Sequence, residues 1–498
     1  MSKLTFFFLF IFSLTSFSKE FCNKLVYAQS SEAITLNPQD SGDLYSTRVI
    51  FNIFDRLVER DENLNFIPGL AESWTQVDEN TLIFHLRKNV KFHQGQNFTS
   101  RDVKYTIEKV KNNPKVQDLF EAISEVDTPD LYTVVIKTKE PSGSLLYHLT
   151  HVSASIINEE YTEKIKNTHY IPNGTGAFIF NEWLVGNKVV LKRNIDYFKG
   201  VPKIDTIEIK GIPEENSRVI GLETGEVHIA TEIEGIGRNV LNHNPMIKLK
   251  ELSSLNGLYL GMNTSNGPLA NTDVRKAIAM AIDRDAIIDY FLMGSVEKAN
   301  SFLAPGVFGY SKTAKTHEYN KEFAKKLMEK SGYKNITLTL TTNNNELRKQ
   351  MCEIIQAQLN EIGINLKVEI LEWGTFLSHT GQGKTDMFML GWASYTGDAD
   401  HSLTQMIHSS KKGDQGNRTF YTNPKVDDLL IKAKKEIKSE KRAEIYKEIQ
   451  DIVNNDVPIL PIYFALANAG VRKEVKGFIQ TPTNIPNFYK LSLEEEQI

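Results

Sequence analysis

The sequence predicts a large α/β protein of more than one lobe, and three observations point there. A chain of 498 residues exceeds what a single compact core organises. Its 41% hydrophobic and 24% charged residues are ordinary for a soluble protein. Short strands alternate with helices, most clearly as strand, helix and strand over residues 336–342, 347–361 and 363–370. Parallel strands need a crossover of that kind.

The stretch 68–110 orders the first half of the chain. Thr81, Ile83, His85 and Arg87 alternate with Leu82, Phe84 and Leu86, the period of a strand with one dry face. Val90-Lys91-Phe92 reads as a short edge strand between turn residues, and a helix follows in which Val103, Ile107 and Val110 share a face. Residues 25–28 are an apolar strand, and 41–47 form a polar loop entering a helix over 48–54. Residues 132–138 are a strand broken by Pro141. Asn173-Gly174-Thr175-Gly176 is a tight polar turn whose glycines tolerate unusual backbone angles. No Lys-Ser or Lys-Thr closes it as a phosphate loop. Residues 258–263 and 386–392 read as buried strands. Pro424 opens one late helix and residues 440–454 form another.

The charge balance, 58 Lys and Arg against 62 Asp and Glu, gives nucleic acid little to bind. Residues 1–18 combine Lys3, an apolar run and Ser16-Phe17-Ser18, the pattern of a cleaved secretory signal. Cys22 follows Lys19-Glu20-Phe21, a poor lipid-attachment sequence, and reads as an ordinary leader cysteine. A disulfide to the other cysteine, Cys352, has no support in the pattern. No Gly-x-Ser-x-Gly elbow or His-Glu-x-x-His motif indicates an enzyme.

Ligands of open α/β sheets sit beyond the carboxyl ends of strands. The run from Trp392 to Asp400 stands in that relation to the strand ending at Gly391. Trp392 and Tyr395 offer flat walls, while Ser394, Thr396, Asp398 and Asp400 offer polar contacts. A core tryptophan followed by helix-capping acids is the structural alternative. His401 beside this loop is a candidate contact for a metal chelate, or a solvated loop histidine.

The stretch 68–110, Asn173-Gly174-Thr175-Gly176-Ala177-Phe178, the block 271–278, Gly391-Trp392 and the block 471–477 together resemble a known signature. It is that of the family 5 extracytoplasmic solute-binding proteins, which serve peptide, nickel and glutathione ABC importers. The resemblance implies a two-lobed periplasmic-binding-protein fold of type II with an extra subdomain in the first lobe. The expected division is 1–18 as signal peptide; 19–50, 170–265 and 478–498 as the core of lobe I; 51–169 as its extra subdomain; and 266–477 as lobe II. It also implies a monomer in the periplasm that meets an inner-membrane permease and uses no cofactor.

By the same resemblance the loop 41–47 lies near the cleft, making Ser41, Tyr45 and Thr47 candidates, with local capping as the alternative for each. Peptide binders of the family place an aspartate three residues after the tryptophan, where this chain has Tyr395. The dipeptide binders carry an arginine after the strand matching 336–342, and the nearest here is Arg348. The run Thr396-Gly397-Asp398-Ala399-Asp400 looks like that of the glutathione-binding branch. The expected ligand is a short peptide, with glutathione, nickel or a metal chelate, and a peptide-sensing or chaperone-like role as alternatives.

Overall fold

The computed structural model describes residues 23–165, 170–265 and 267–494. The signal-peptide reading, with its cleavage near Lys19, and the reading of Cys22 fall outside them.

One 11-stranded sheet runs through both lobes. From one edge its strands are Ile364–Leu371, Ile336–Asn343, Met387–Ala393, Ile247–Met262, Ile459–Arg472, Ile229–Thr231, Lys24–Gln29, Thr206–Gly211, Lys188–Arg193 and Phe178–Leu184. Val296–Lys298 pairs off this path with Ile459–Arg472. The strand–helix–strand unit read from the sequence pairs in parallel, Ile336 opposite Ile364, with the helix Glu346–Asn360 as its crossover.

The two lobes are joined by the longest strands. Ile247–Met262 is far longer than the expected strand at 258–263 and pairs antiparallel with Ile459–Arg472. Its first half pairs with the end of Ile459–Arg472 that in turn pairs with Ile229–Thr231, and its second half pairs also with Met387–Ala393. The pairing breaks between Ser253 and Gly257, which inserts a bulge where the strand passes from one lobe to the other. Within the bulge, Leu255 N donates to Pro482 O at 3.0 Å and Leu255 O accepts from Ser394 N at 3.0 Å. The crossing point is thereby tied to the C-terminal segment and to the loop after Met387–Ala393.

The extra subdomain has a sheet of its own. Ala71–Asp78, Thr81–Leu86, Thr133–Thr138 and Ile123–Asp130 form a four-stranded antiparallel sheet in that spatial order. Leu82, Phe84 and Leu86 are buried, as the alternation requires, and the helix Ser100–Lys111 covers them with Val103, Ile107 and Val110. The helix start is held by Asp102, whose Oδ2 accepts from Thr99 N at 2.9 Å. Val90-Lys91-Phe92 is not a strand: only an isolated Lys91–Asn97 bridge forms. The loop closes on itself, because Phe92 N bonds Gln96 O at 2.8 Å and the Phe92 ring packs edge-on to Phe98.

The turn at Asn173–Gly176 also differs from expectation. Neither Gly174 nor Gly176 has a positive φ. They are small because the turn presses on the end of the helix Leu44–Ile53: a Cβ on Gly174 would lie 2.0 Å from Ile53 O. Close backbone approach, not backbone freedom, requires glycine there.

A candidate ligand-binding cavity

A cavity of about 560 Å³ opens between the lobes, within the size range of small-ligand sites. It is lined by residues 41–44 with Thr47, by parts of 55–67, 114–119 and 150–152, by Trp392, Tyr395, His401 and Gln405, and by parts of the C-terminal segment 477–490.

Ser41, Thr47, Trp392, Tyr395 and His401, all read from the sequence as candidates, line this cavity together. Ser41 and Thr47 hydroxyls lie 3.2 Å apart, and Thr47 Oγ1 donates to Asp43 O at 2.7 Å. Asp43 caps the helix Leu44–Ile53 by accepting from Ser46 N at 2.8 Å. These groups shape the loop and present its edge to the cavity.

Trp392 forms a fixed wall. Its Nε1 donates to Ser402 Oγ at 2.9 Å, and His401 stacks on it with ring centroids 6.0 Å apart. Burial lowers the His401 pKa from its ordinary value. Tyr395 stands 53% exposed at the cavity edge, and its phenol feels Asp43 and Tyr45 from lobe I. Among the described residues no three His, Cys, Asp or Glu side chains cluster so as to hold a metal ion.

The remaining candidates sit elsewhere. Tyr45 is outside the cavity lining, with its hydroxyl 2.9 Å from that of Ser30. Ser394 is buried behind the loop, its hydroxyl 2.9 Å from Ser402 Oγ. Arg348 occupies the opposite face of the sheet from Trp392, beside Gly391, and its Nη1 donates to Asn343 Oδ1 at 3.2 Å.

Asp398 and Asp400 are turned away from the cavity and spent inside the protein. Asp398 Oδ1 and Oδ2 meet Arg442 Nη2 and Nη1 at 2.6 and 2.7 Å, and Oδ1 also caps the helix Ala399–Ile407 through Asp400 N at 2.8 Å. Asp400 Oδ2 accepts from Ser144 Oγ of the extra subdomain at 2.9 Å. Burial pushes the Asp398 carboxyl up while Arg442 pulls it back. Desolvation works to lower Arg442, and Asp398, Tyr446 and Asp400 together outweigh it, keeping the guanidinium charged. The helix-capping alternative describes Asp398, while Asp400 lies in the first turn of that helix and holds Ser144, so the Thr-Gly-Asp-Ala-Asp run is a structural lock in this fold.

Arg60 is among the cavity residues that sequence reading missed. It ends the strand Val58–Arg60 and lies next to Asp61 and Glu62 in a charged run that reads as a wet surface. No local pattern shows that it reaches lobe II, where its guanidinium lies against the backbone of Gly397.

Residues 65–414 match the model of the bacterial extracellular solute-binding proteins, family 5 (middle region). The chain belongs to this family. As a family 5 chain it is 29% identical over 468 residues to the glutathione-binding protein GsiB of Escherichia coli O6:K15:H31, with 91% of each chain covered. It is 29% identical over 506 residues to the dipeptide-binding protein of Escherichia coli K12, with 94% of each covered. Its fold is similar to the ABC transporter-associated periplasmic binding protein DppA of Helicobacter pylori in complex with peptide STSA. That match has a TM-score of 0.82 and 28% identity, and covers 95% of this chain and 98% of the other. The two-lobed solute-binding architecture implied by the sequence blocks is therefore the architecture of this chain.

Proposed function

We propose that this chain is the substrate-binding component of an ABC importer, capturing short peptides between its lobes and delivering them to a membrane permease. The observation that carries this reading is the cavity itself. Loops of both lobes and the extra subdomain close around a space of about 560 Å³ with an aromatic wall at Trp392 and Tyr395. A peptide's side chains gain from such walls, and its charged and amide groups need polar partners once they leave water. The family match and the peptide bound to the Helicobacter pylori relative support the same class of solute.

The protein acts as a carrier: it binds, closes and releases its solute unchanged. Closure is a rotation of the lobes about the bulge in Ile247–Met262 and its partner strand, driven by the ligand's preference for the closed form. The setting is the periplasm and the working unit a monomer. The apolar leader at 1–18 favours export, and no helix among the described residues is long and apolar enough to cross a membrane. Glutathione, a modified tripeptide, is the second reading, favoured by the similarity to GsiB.

Calorimetric titration of the purified protein with dipeptides, tripeptides and glutathione tests the proposal, with mass analysis of each solute afterwards. Saturable binding of peptides recovered intact is expected. Binding of glutathione alone moves the function to that importer class, and chemical conversion of the solute overturns the carrier reading.

A further inference from the structure

The cavity is lined by a half-buried arginine, Arg60, that makes no ion pair among the described residues. Arg60 Nη1 is buried and has no hydrogen-bond partner among the described residues. The guanidinium packs against Gly397, where an added Cβ would lie 2.0 Å from Nη1, and faces the Tyr147 ring with Cζ 6.0 Å from the centroid. Burial lowers its pKa to about 10, which leaves it charged at neutral pH.

The six acids lining the same cavity are all engaged within the protein. Asp43 caps its helix, Asp55 accepts from Thr175 and Tyr197 hydroxyls, and Glu59 pairs with Arg56. Asp61 accepts from Asn63 and Asn65 backbone N–H groups, Glu62 pairs with Lys490, and Asp118 pairs with Lys411. Asp398, the nearest acid on the lobe II side, is held by both arms of Arg442. A half-buried guanidinium whose Nη1 has no acceptor is costly, and an anionic partner entering the cavity relieves that cost.

We infer that Arg60 is the anion-binding subsite of the cavity and receives a carboxylate of the bound peptide. This rests on the peptide-carrier reading above and deepens it. Because Arg60 comes from the extra subdomain and touches the lobe II loop at Gly397, a carboxylate held there contacts both bodies. It favours the closed arrangement over the open one. The carboxylate comes either from the peptide's C-terminus or from an acidic side chain, and the fork of Arg60 accepts each in the same way.

Titration calorimetry with four probes separates the sources: trialanine, its C-terminal amide, and the tripeptides with central glutamate or central glutamine. The wild-type protein is expected to prefer one carboxylate-bearing probe over its neutral counterpart by on the order of tenfold or more. In Arg60→Gln that preference collapses, and Arg60→Lys recovers part of it. Loss of the acid-over-amide preference assigns the subsite to the C-terminus; loss of the glutamate-over-glutamine preference assigns it to a side chain. No preference in the wild type, or the same preference in Arg60→Gln, overturns the inference and leaves the peptide reading standing. Binding of none of the four overturns both.

Discussion

Asp398 and Arg442 meet fork to fork, with both oxygens on both terminal nitrogens at 2.6 and 2.7 Å and neither side chain exposed to any extent that matters. Arg442 also donates to Gly143 O of the extra subdomain at 3.0 Å, and Asp398 starts the helix behind the Trp392–Tyr395 loop. The pair therefore fixes the loop and joins it to the extra subdomain. Asp398→Ala leaves a buried guanidinium uncompensated, and a loss of roughly 3–5 kcal/mol is expected. Urea unfolding measures it; an unchanged midpoint would show that the lock contributes nothing.

Trp392→Ala removes a wall already held in place by Ser402 and His401. Peptide affinity is expected to fall by on the order of 2 kcal/mol, while Trp392→Phe keeps most of it. Calorimetry on variants with native circular dichroism decides the matter. Full affinity in a folded Trp392→Ala protein takes the tryptophan out of the site.

Acid is expected to loosen the contact between the extra subdomain and lobe II. Burial holds His148 at about 4 and His151 at about 3, below the ordinary 6.5. Among the described residues His148 has no hydrogen-bond partner on either ring nitrogen and faces Asp400, His401, Arg442 and Lys434; His151 faces His401, His148, Arg56 and Arg60. The unfolded chain takes up these protons near 6.5 while the native protein does not, so stability is complete above 6.5 and falls as the pH drops toward 4. Thermal midpoints across that range are expected to fall, and to fall less steeply in His148→Leu. Equal slopes in the two proteins would contradict this assignment.

Gly174→Ala forces a methyl group against Ile53 O at the end of the helix Leu44–Ile53. The backbone must move apart, at a cost of about 1–3 kcal/mol. A differential scanning calorimetry midpoint equal to that of the parent would mean that the helix end yields freely.

The fold was legible where periodicity reports burial. Alternation at residues 81–87 and the unit 336–370 produced strands and a parallel crossover as expected, because a period of two and a long apolar helix leave few alternatives. Half of the candidate site was legible for a related reason: Trp392 lies at the end of a buried strand and Tyr395 just after it, and the loop after such a strand faces the cleft. The rest depended on partners far along the chain. A polar run reads the same whether it faces a solute or Arg442, so Asp398 and Asp400 looked like ligand contacts. Arg60 looked like solvent-facing charge because only the folded chain brings it to Gly397. Arg348 was assigned by distance along the sequence, and it sits in the first turn of the helix Glu346–Asn360, bonded to Asn343 rather than facing the cavity.

Peptide capture is tested most directly by native mass spectrometry of protein purified without refolding, followed by denaturation and identification of what is released. Short peptides in one-to-one complex with the chain are the predicted result. A metal ion or a small molecule without a peptide bond, released in the same ratio, would contradict it.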